Sequence, residues 1–123
     1  TPSILQKSQE YVALMHNTEA SPINFVFHGG SGSSTNEIRE AIGYGAVKMN
    51  LDTDMQWAFC KGVNEYHTKN QDYLNKQIGN PEGEDKPNKK YYDPRKWLLE
   101  GENAMIERLR KSFSDLNNLN TNI

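Results

Sequence analysis

Apolar positions change period several times along the chain. Ile4, Leu5, Tyr11, Val12 and Met15, with Ser8 between them, recur at helical spacing, and Pro2 and Ser3 suit a first turn. Asn17 to Pro22 is polar, and Ile23 to Phe27 then reads as a strand, with Phe25-Val26-Phe27 as its buried run. Ile38, Ala41 and Ile42 mark one face of a short helix over Thr35 to Gly43, stopped by Gly43 or Gly45. Ala46 to Asn50 is a second strand. Leu51, Asp52 and Thr53 turn into a helix with Met55, Ala58, Phe59, Val63 and Tyr66 inward, and helical character continues toward Gln77. Residues 79–94 are a long, charged stretch rich in Gly, Pro, Asn and Lys, which predicts an ordered excursion or a mobile loop rather than a regular element. From Arg95 the helical period returns through Leu98, Ala104, Met105, Leu109, Phe113 and Leu116, which mark one or two closing helices with Gly101 as a break. Residues 117–123 read as a frayed tail.

One unit therefore occurs twice: strand, small polar turn, capped helix. The caps are Ser34-x-x-Glu37 and Thr53-x-x-Gln56. A crossover containing a helix forces the two strands parallel. Parallel sheets need cover on both faces, so two such strands do not make a domain. The chain also starts at Thr1 rather than Met and enters a helical pattern at once. These points lead us to expect part of a longer polypeptide. Residues 1–78 would be the βα units, 79–94 a loop and 95–123 closing helices, all within one incomplete domain.

Composition narrows the function. The 123 residues carry a formal net charge of −2, and the basic residues are scattered apart from Lys89-Lys90, so nucleic acid and anionic membrane are poor partners. No apolar run approaches the roughly 20 residues of a membrane span. Cys60 is the single cysteine, so no internal disulfide forms, which suits a reducing, cytoplasmic setting.

Chemistry gathers at His28-Gly29-Gly30-Ser31-Gly32-Ser33. A histidine at a strand's carboxyl end, followed by a glycine turn and a capped helix, is placed to hold a metal or move a proton. The turn's amides and serine hydroxyls can cradle a phosphate. Asn50, Asp52 and Thr53 occupy the equivalent place after the next strand. Asn50 can donate to an oxyanion, and Asp52 can accept from a substrate hydroxyl. The competing readings are a core histidine, a plain βα turn and an aspartate that serves only the helix dipole. His16 and His67 follow no strand. In β/α barrels, phosphate sites often form from the loops after strands seven and eight, and two adjacent polar turns match that pattern.

Three ordered motifs carry a resemblance: Asn24 to Ser33, Val47 to Asp54, and Gly79-Asn80-Pro81 through Asn88-Lys89-Lys90-Tyr91-Tyr92-Asp93-Pro94-Arg95. They resemble class II fructose-bisphosphate aldolase, in the longer-chain subgroup of fungi and many bacteria. The likeness runs over essentially the whole chain and corresponds to about the C-terminal third of the family's polypeptide.

The resemblance implies an α/β fold: strands seven and eight of a (β/α)8 barrel, with a C-terminal helical extension. It implies a glycolytic lyase that reversibly cleaves fructose 1,6-bisphosphate to dihydroxyacetone phosphate and glyceraldehyde 3-phosphate with zinc. His28 matches a zinc ligand. Gly29, Gly30 and Ser31 match one dihydroxyacetone-phosphate loop, near a monovalent cation (Na+ or K+). Asn50, Leu51, Asp52 and Thr53 match the second loop, with Asn50 also catalytic. Arg95 matches an arginine that reaches across a homodimer interface to the far phosphate. The remaining zinc ligands and the proton-transferring carboxylates belong to motifs that no segment here matches, so the N-terminal part of the same polypeptide is an implied partner and this segment alone is expected to be inactive. Cleavage of tagatose bisphosphate, and a non-catalytic phosphate-binding or assembly fragment, are the rival readings.

Overall fold

The two apolar runs pair as read. In the computed structural model, which describes residues 1–120, β1 (Phe25–Phe27) lies parallel to β2 (Ala46–Met49). Val26 faces Lys48 and Phe27 faces Met49, with an irregularity between Phe25 and Val26. The crossover between them is α2 (Thr35–Gly43), whose buried face is Ile38 and Ala41. The fold is mixed α/β.

The chain divides into two compact units. One comprises residues 1–54 with residues 111–120, and the other comprises residues 55–110.

In the first unit, α1 (Ser3–His16) is tied down by a polar side chain. Gln9 is 3% exposed. Its Nε2 donates to Ile23 O at 2.7 Å and to Tyr44 O at 2.9 Å, while its Oε1 accepts from Ile23 N at 2.9 Å. One amide thus satisfies backbone groups at the entrance to β1 and at the turn before β2. By contrast Ile4, Tyr11 and Met15, read from their spacing as one apolar face with Leu5 and Val12, are exposed. The side of α1 that packs carries Leu5, Ser8, Gln9 and Val12.

Gln9→Leu keeps the volume and removes all three bonds. We expect it to destabilise the fold by about 1–3 kcal/mol, the cost of leaving buried backbone groups unpaired. Denaturant unfolding of a polypeptide carrying the substitution reads this directly, and an unchanged midpoint refutes it.

The strands are less buried than their sequence suggests. Val26 and Val47 are 48% and 67% exposed. A parallel pair needs both faces covered, and among the described residues the cover over these two side chains is incomplete. An apolar crevice of about 240 Å³, lined by Phe27, Ile38, Ala41, Met49 and Leu116 among others, adjoins the strands but does not include His28.

In the second unit two sequence expectations are corrected. α3 (Thr53–Lys69) stops short of Gln77, and a separate turn of helix, α4 (Gln71–Leu74), follows. The expected long loop is instead a β-hairpin, β3 (Ile78–Asn80) antiparallel to β4 (Gly83–Pro87), and then a short helix α5 (Lys89–Tyr92). Its organiser is Asn88, which is fully buried. Asn88 accepts from Asn80 Nδ2 at 2.6 Å and donates from Nδ2 to Lys76 O at 2.9 Å and Gly79 O at 3.0 Å. Tyr73 stacks on Tyr91 at 4.1 Å between centroids.

Gly101 is not a break either. α6 (Pro94–Asp115) runs through it without interruption. A Cβ at Gly101 would lie 2.8 Å from the Phe59 ring, and one at Gly62 would lie 2.5 Å from Glu100 O. Both glycines let α3 and α6 approach closely. After α6, Asn118 N donates to Phe113 O at 2.8 Å and Asn117 N to Ser114 O at 3.2 Å, with Asn117 at φ +55°. This is a Schellman-type stop, so the expected fraying does not begin at Asn117. The rest of the expected tail, residues 121–123, lies outside the described residues.

Candidate functional site

Parallel pairing brings the exits of β1 and β2 side by side, so the two polar turns meet within the first unit. Asn50 N donates to Phe27 O at 3.0 Å, and Gly30 N donates to Asn50 O at 3.3 Å. The ladder thus continues past the strands into the turns. Gly29 and Gly32 hold φ of +73° and +85°, which glycine adopts without strain. Gly30 is buried, and a Cβ there would lie 2.5 Å from Met49 Cγ and Sδ, so a larger residue would force the Met49 side chain to move.

The first turn also reaches the start of α3. Ser31 Oγ accepts from Asp54 N at 3.2 Å. Its own proton is then left to donate to an oxygen ligand. The Gly30 and Ser33 amides are used within the turns, Ser33 N donating to Gly30 O at 3.2 Å. In the first turn, the amides of Gly29, Ser31 and Gly32 are left to meet an anion. The Ser34 cap forms as read. Its hydroxyl accepts from Glu37 N, and its backbone N–H donates to Glu37 Oε2 at 2.9 Å. That backbone bond first, and the hydroxyl second, hold the Glu37 carboxyl below its ordinary value. Thr53 is already the first residue of α3, so the position before the helix falls on Asp52 rather than on the motif's Thr53. Leu51 is half-buried, while Asp52 and Thr53 are exposed.

His28 is exposed at the end of β1. Its Nδ1 lies 3.0 Å from Asn50 Nδ2. An amide nitrogen only donates, so Nδ1 accepts here and Nε2 carries the proton. A metal at either ring nitrogen requires the Asn50 amide to turn or leave. An accessible imidazole with one light restraint fits a ligand role. Among the described residues no three His, Cys, Asp or Glu side chains converge as a complete metal site would require. His16 is exposed at the end of α1, and His67 lies in the second unit with its ring edge-on to Trp97 at 5.9 Å.

Arg95 also belongs to the second unit and is described there alone. It stands in the first turn of α6 with its side chain 87% exposed. Its Nε donates to Asp93 Oδ1 at 2.9 Å and its Nη2 to Asp93 Oδ2. These bonds hold the Asp93 carboxyl well below the usual carboxylate range and raise the guanidinium's value further. Sequence reasoning singled out Arg95 and missed its clamp, although Asp-Pro before a helix is a capping signal.

Among the described residues, no helix is long and apolar enough to cross a membrane. Comparison with known proteins points to one family along the whole chain. A family model described as "Fructose-bisphosphate aldolase class-II" matches residues 1–121. Fructose-bisphosphate aldolase of Edwardsiella ictaluri is 61% identical over 117 residues, which are 95% of this chain and 33% of that protein. Fructose-bisphosphate aldolase class 2 of Escherichia coli is 58% identical over 117 residues, again 33% of its length. The crystal structure of fructose-bisphosphate aldolase from Campylobacter jejuni superposes with a TM-score of 0.88 at 58% identity, covering 99% of this chain and 36% of that one. The chain thus spans about a third of the length of the relatives it matches. With nearly every residue inside the matched family segment, this chain belongs to the class II fructose-bisphosphate aldolase family.

Proposed function

We propose that this chain is the C-terminal segment of a zinc-dependent fructose 1,6-bisphosphate aldolase, contributing strands seven and eight of a (β/α)8 barrel. The single observation that carries the reading is the juxtaposition at the strand exits: an exposed His28 against Asn50, flanked by two polar turns bonded to each other. The partly exposed valines of β1 and β2 fit strands that other barrel elements would cover.

In this reading His28 is one zinc ligand. The zinc, when bound, polarises the ketose carbonyl. Gly29, Ser31, Leu51, Asp52 and Thr53 hold the dihydroxyacetone-phosphate half through amides, hydroxyls and a carboxylate, and Gly30 makes the close turn. Fixing that phosphate orients the carbon skeleton over the histidine. A Na+ or K+ ion beside the first turn would offset the phosphate's charge. Asn50 turns its amide from His28 to the oxygen that gains charge as the carbon–carbon bond breaks. The proton-moving carboxylate comes from the preceding part of the polypeptide, so the isolated segment is inactive. Arg95 serves the far phosphate of the neighbouring subunit in a cytoplasmic homodimer.

The test is cleavage of fructose 1,6-bisphosphate and tagatose 1,6-bisphosphate by the full-length polypeptide that contains this segment. A preference for the fructose sugar is expected. A preference for the tagatose sugar moves the protein to the other specificity, and phosphate binding without turnover removes the enzyme reading.

A further inference from the structure

We propose that Asp93 is the positioning residue of Arg95: one carboxylate caps helix α6 and also sets the guanidinium fork for a phosphate. The inference rests on the aldolase reading, because it takes the far phosphate of the substrate as the anion.

The geometry begins with the backbone of Asp93. Its N–H donates to Lys89 O at 3.1 Å, closing α5, and its C=O accepts from Lys96 N at 2.9 Å, opening α6. With φ −57° and ψ 120° it is the non-helical residue before Pro94, the first residue of α6. Asp93 therefore cannot swing freely. Its Oδ1 accepts from Arg95 N at 3.0 Å, an N-cap bond to the first turn. The same carboxylate then receives Nε and Nη2 of Arg95 side-on. The Asp93 side chain is only 16% exposed, while that of Arg95 is 87% exposed.

A guanidinium has two edges that can each make paired hydrogen bonds. Asp93 takes the Nε–Nη2 edge. The Nη1–Nη2 edge stays outward on an exposed side chain, and that edge can meet two oxygens of one phosphate. A contact of this kind between neighbours on a surface contributes little to stability. Its effect is on order. A free arginine loses substantial rotamer entropy when it grips a ligand, and the clamp removes much of that cost before binding. Against this, the carboxylate reduces the net positive charge that the phosphate meets. The two effects have opposite signs on affinity, and the proposal commits to order as the larger.

The variant that separates them is Asp93→Asn in the full-length polypeptide. Asn is as good an N-cap as Asp, so the helix start and the melting temperature should hold. The second anionic oxygen is lost, and with it the side-on clamp. We expect KM for fructose 1,6-bisphosphate to rise about 3–10-fold, with kcat within about 2-fold and no change in the affinity for dihydroxyacetone phosphate. In an Arg95→Ala background the same substitution should add nothing. An unchanged or lowered KM, or an equal rise without Arg95, overturns the proposal. If the parent cleaves the sugar but Arg95→Ala leaves KM unchanged, the aldolase reading stands and this inference falls. A parent that does not cleave it overturns both.

Discussion

His28→Ala in the full-length polypeptide should lose zinc and turnover together. Perturbing groups around a metal site typically costs 10- to 100-fold in affinity, and removing a ligand should cost at least about 100-fold. Turnover at low zinc should fall by the same factor or more. The melting temperature of the metal-free protein should change little, because His28 is exposed and its contact is one hydrogen bond. That separates a lost ligand from a misfolded chain. Metal content by mass spectrometry and initial rates on the same sample read both. Full zinc with normal rates would make His28 a structural residue. The same variant also tests the dimer. Mixed with Arg95→Ala subunits, it should regain activity, since each mixed dimer has one site with both residues intact. No recovery despite confirmed subunit exchange would remove Arg95 from the neighbour's site.

Asn50→Ala should be nearly as severe, but in a different parameter. Removing one preorganised donor to a developing oxyanion costs about 10²–10³ in kcat. The backbone bonds of Asn50 to Phe27 and Gly30 do not involve its side chain, so the two turns should keep their places. Zinc should remain bound at saturating metal, because the amide must move away from its present contact with His28 for the ring to ligate. We therefore expect low kcat, a small change in KM and normal metal content. A raised KM with normal kcat would make Asn50 a ground-state binding group and refute the oxyanion role.

Much of this was legible in the sequence, for local reasons. Phe25 to Phe27 and Val47 to Met49 are short apolar runs bounded by turn residues, and they pair in parallel. Ser34 and Glu37 meet as their spacing requires. Because both strands are followed at once by small polar residues, parallel pairing alone brings His28 beside Asn50. What escaped depends on buried polar residues. Gln9 looks like a surface residue among apolar neighbours, yet three backbone groups need it. The hairpin at 78–87 has almost no apolar alternation; Asn88 sets it, and no periodicity reveals a buried asparagine. Gly101 fits a helix stop by propensity, but its lack of a Cβ serves the packing of Phe59. The Asp93 clamp is two residues from Arg95, a spacing at which side chains on a regular helix do not face each other. It forms because Asp93 stands outside the helix.

The most direct test of the central claim is zinc add-back. The full-length polypeptide is stripped with a chelator, and its cleavage of fructose 1,6-bisphosphate is followed as zinc returns. Negligible turnover is expected without metal, then a rise that saturates at one zinc per subunit, with His28→Ala flat over the same range. Full turnover in the stripped protein, with metal content confirmed at zero, would contradict the claim.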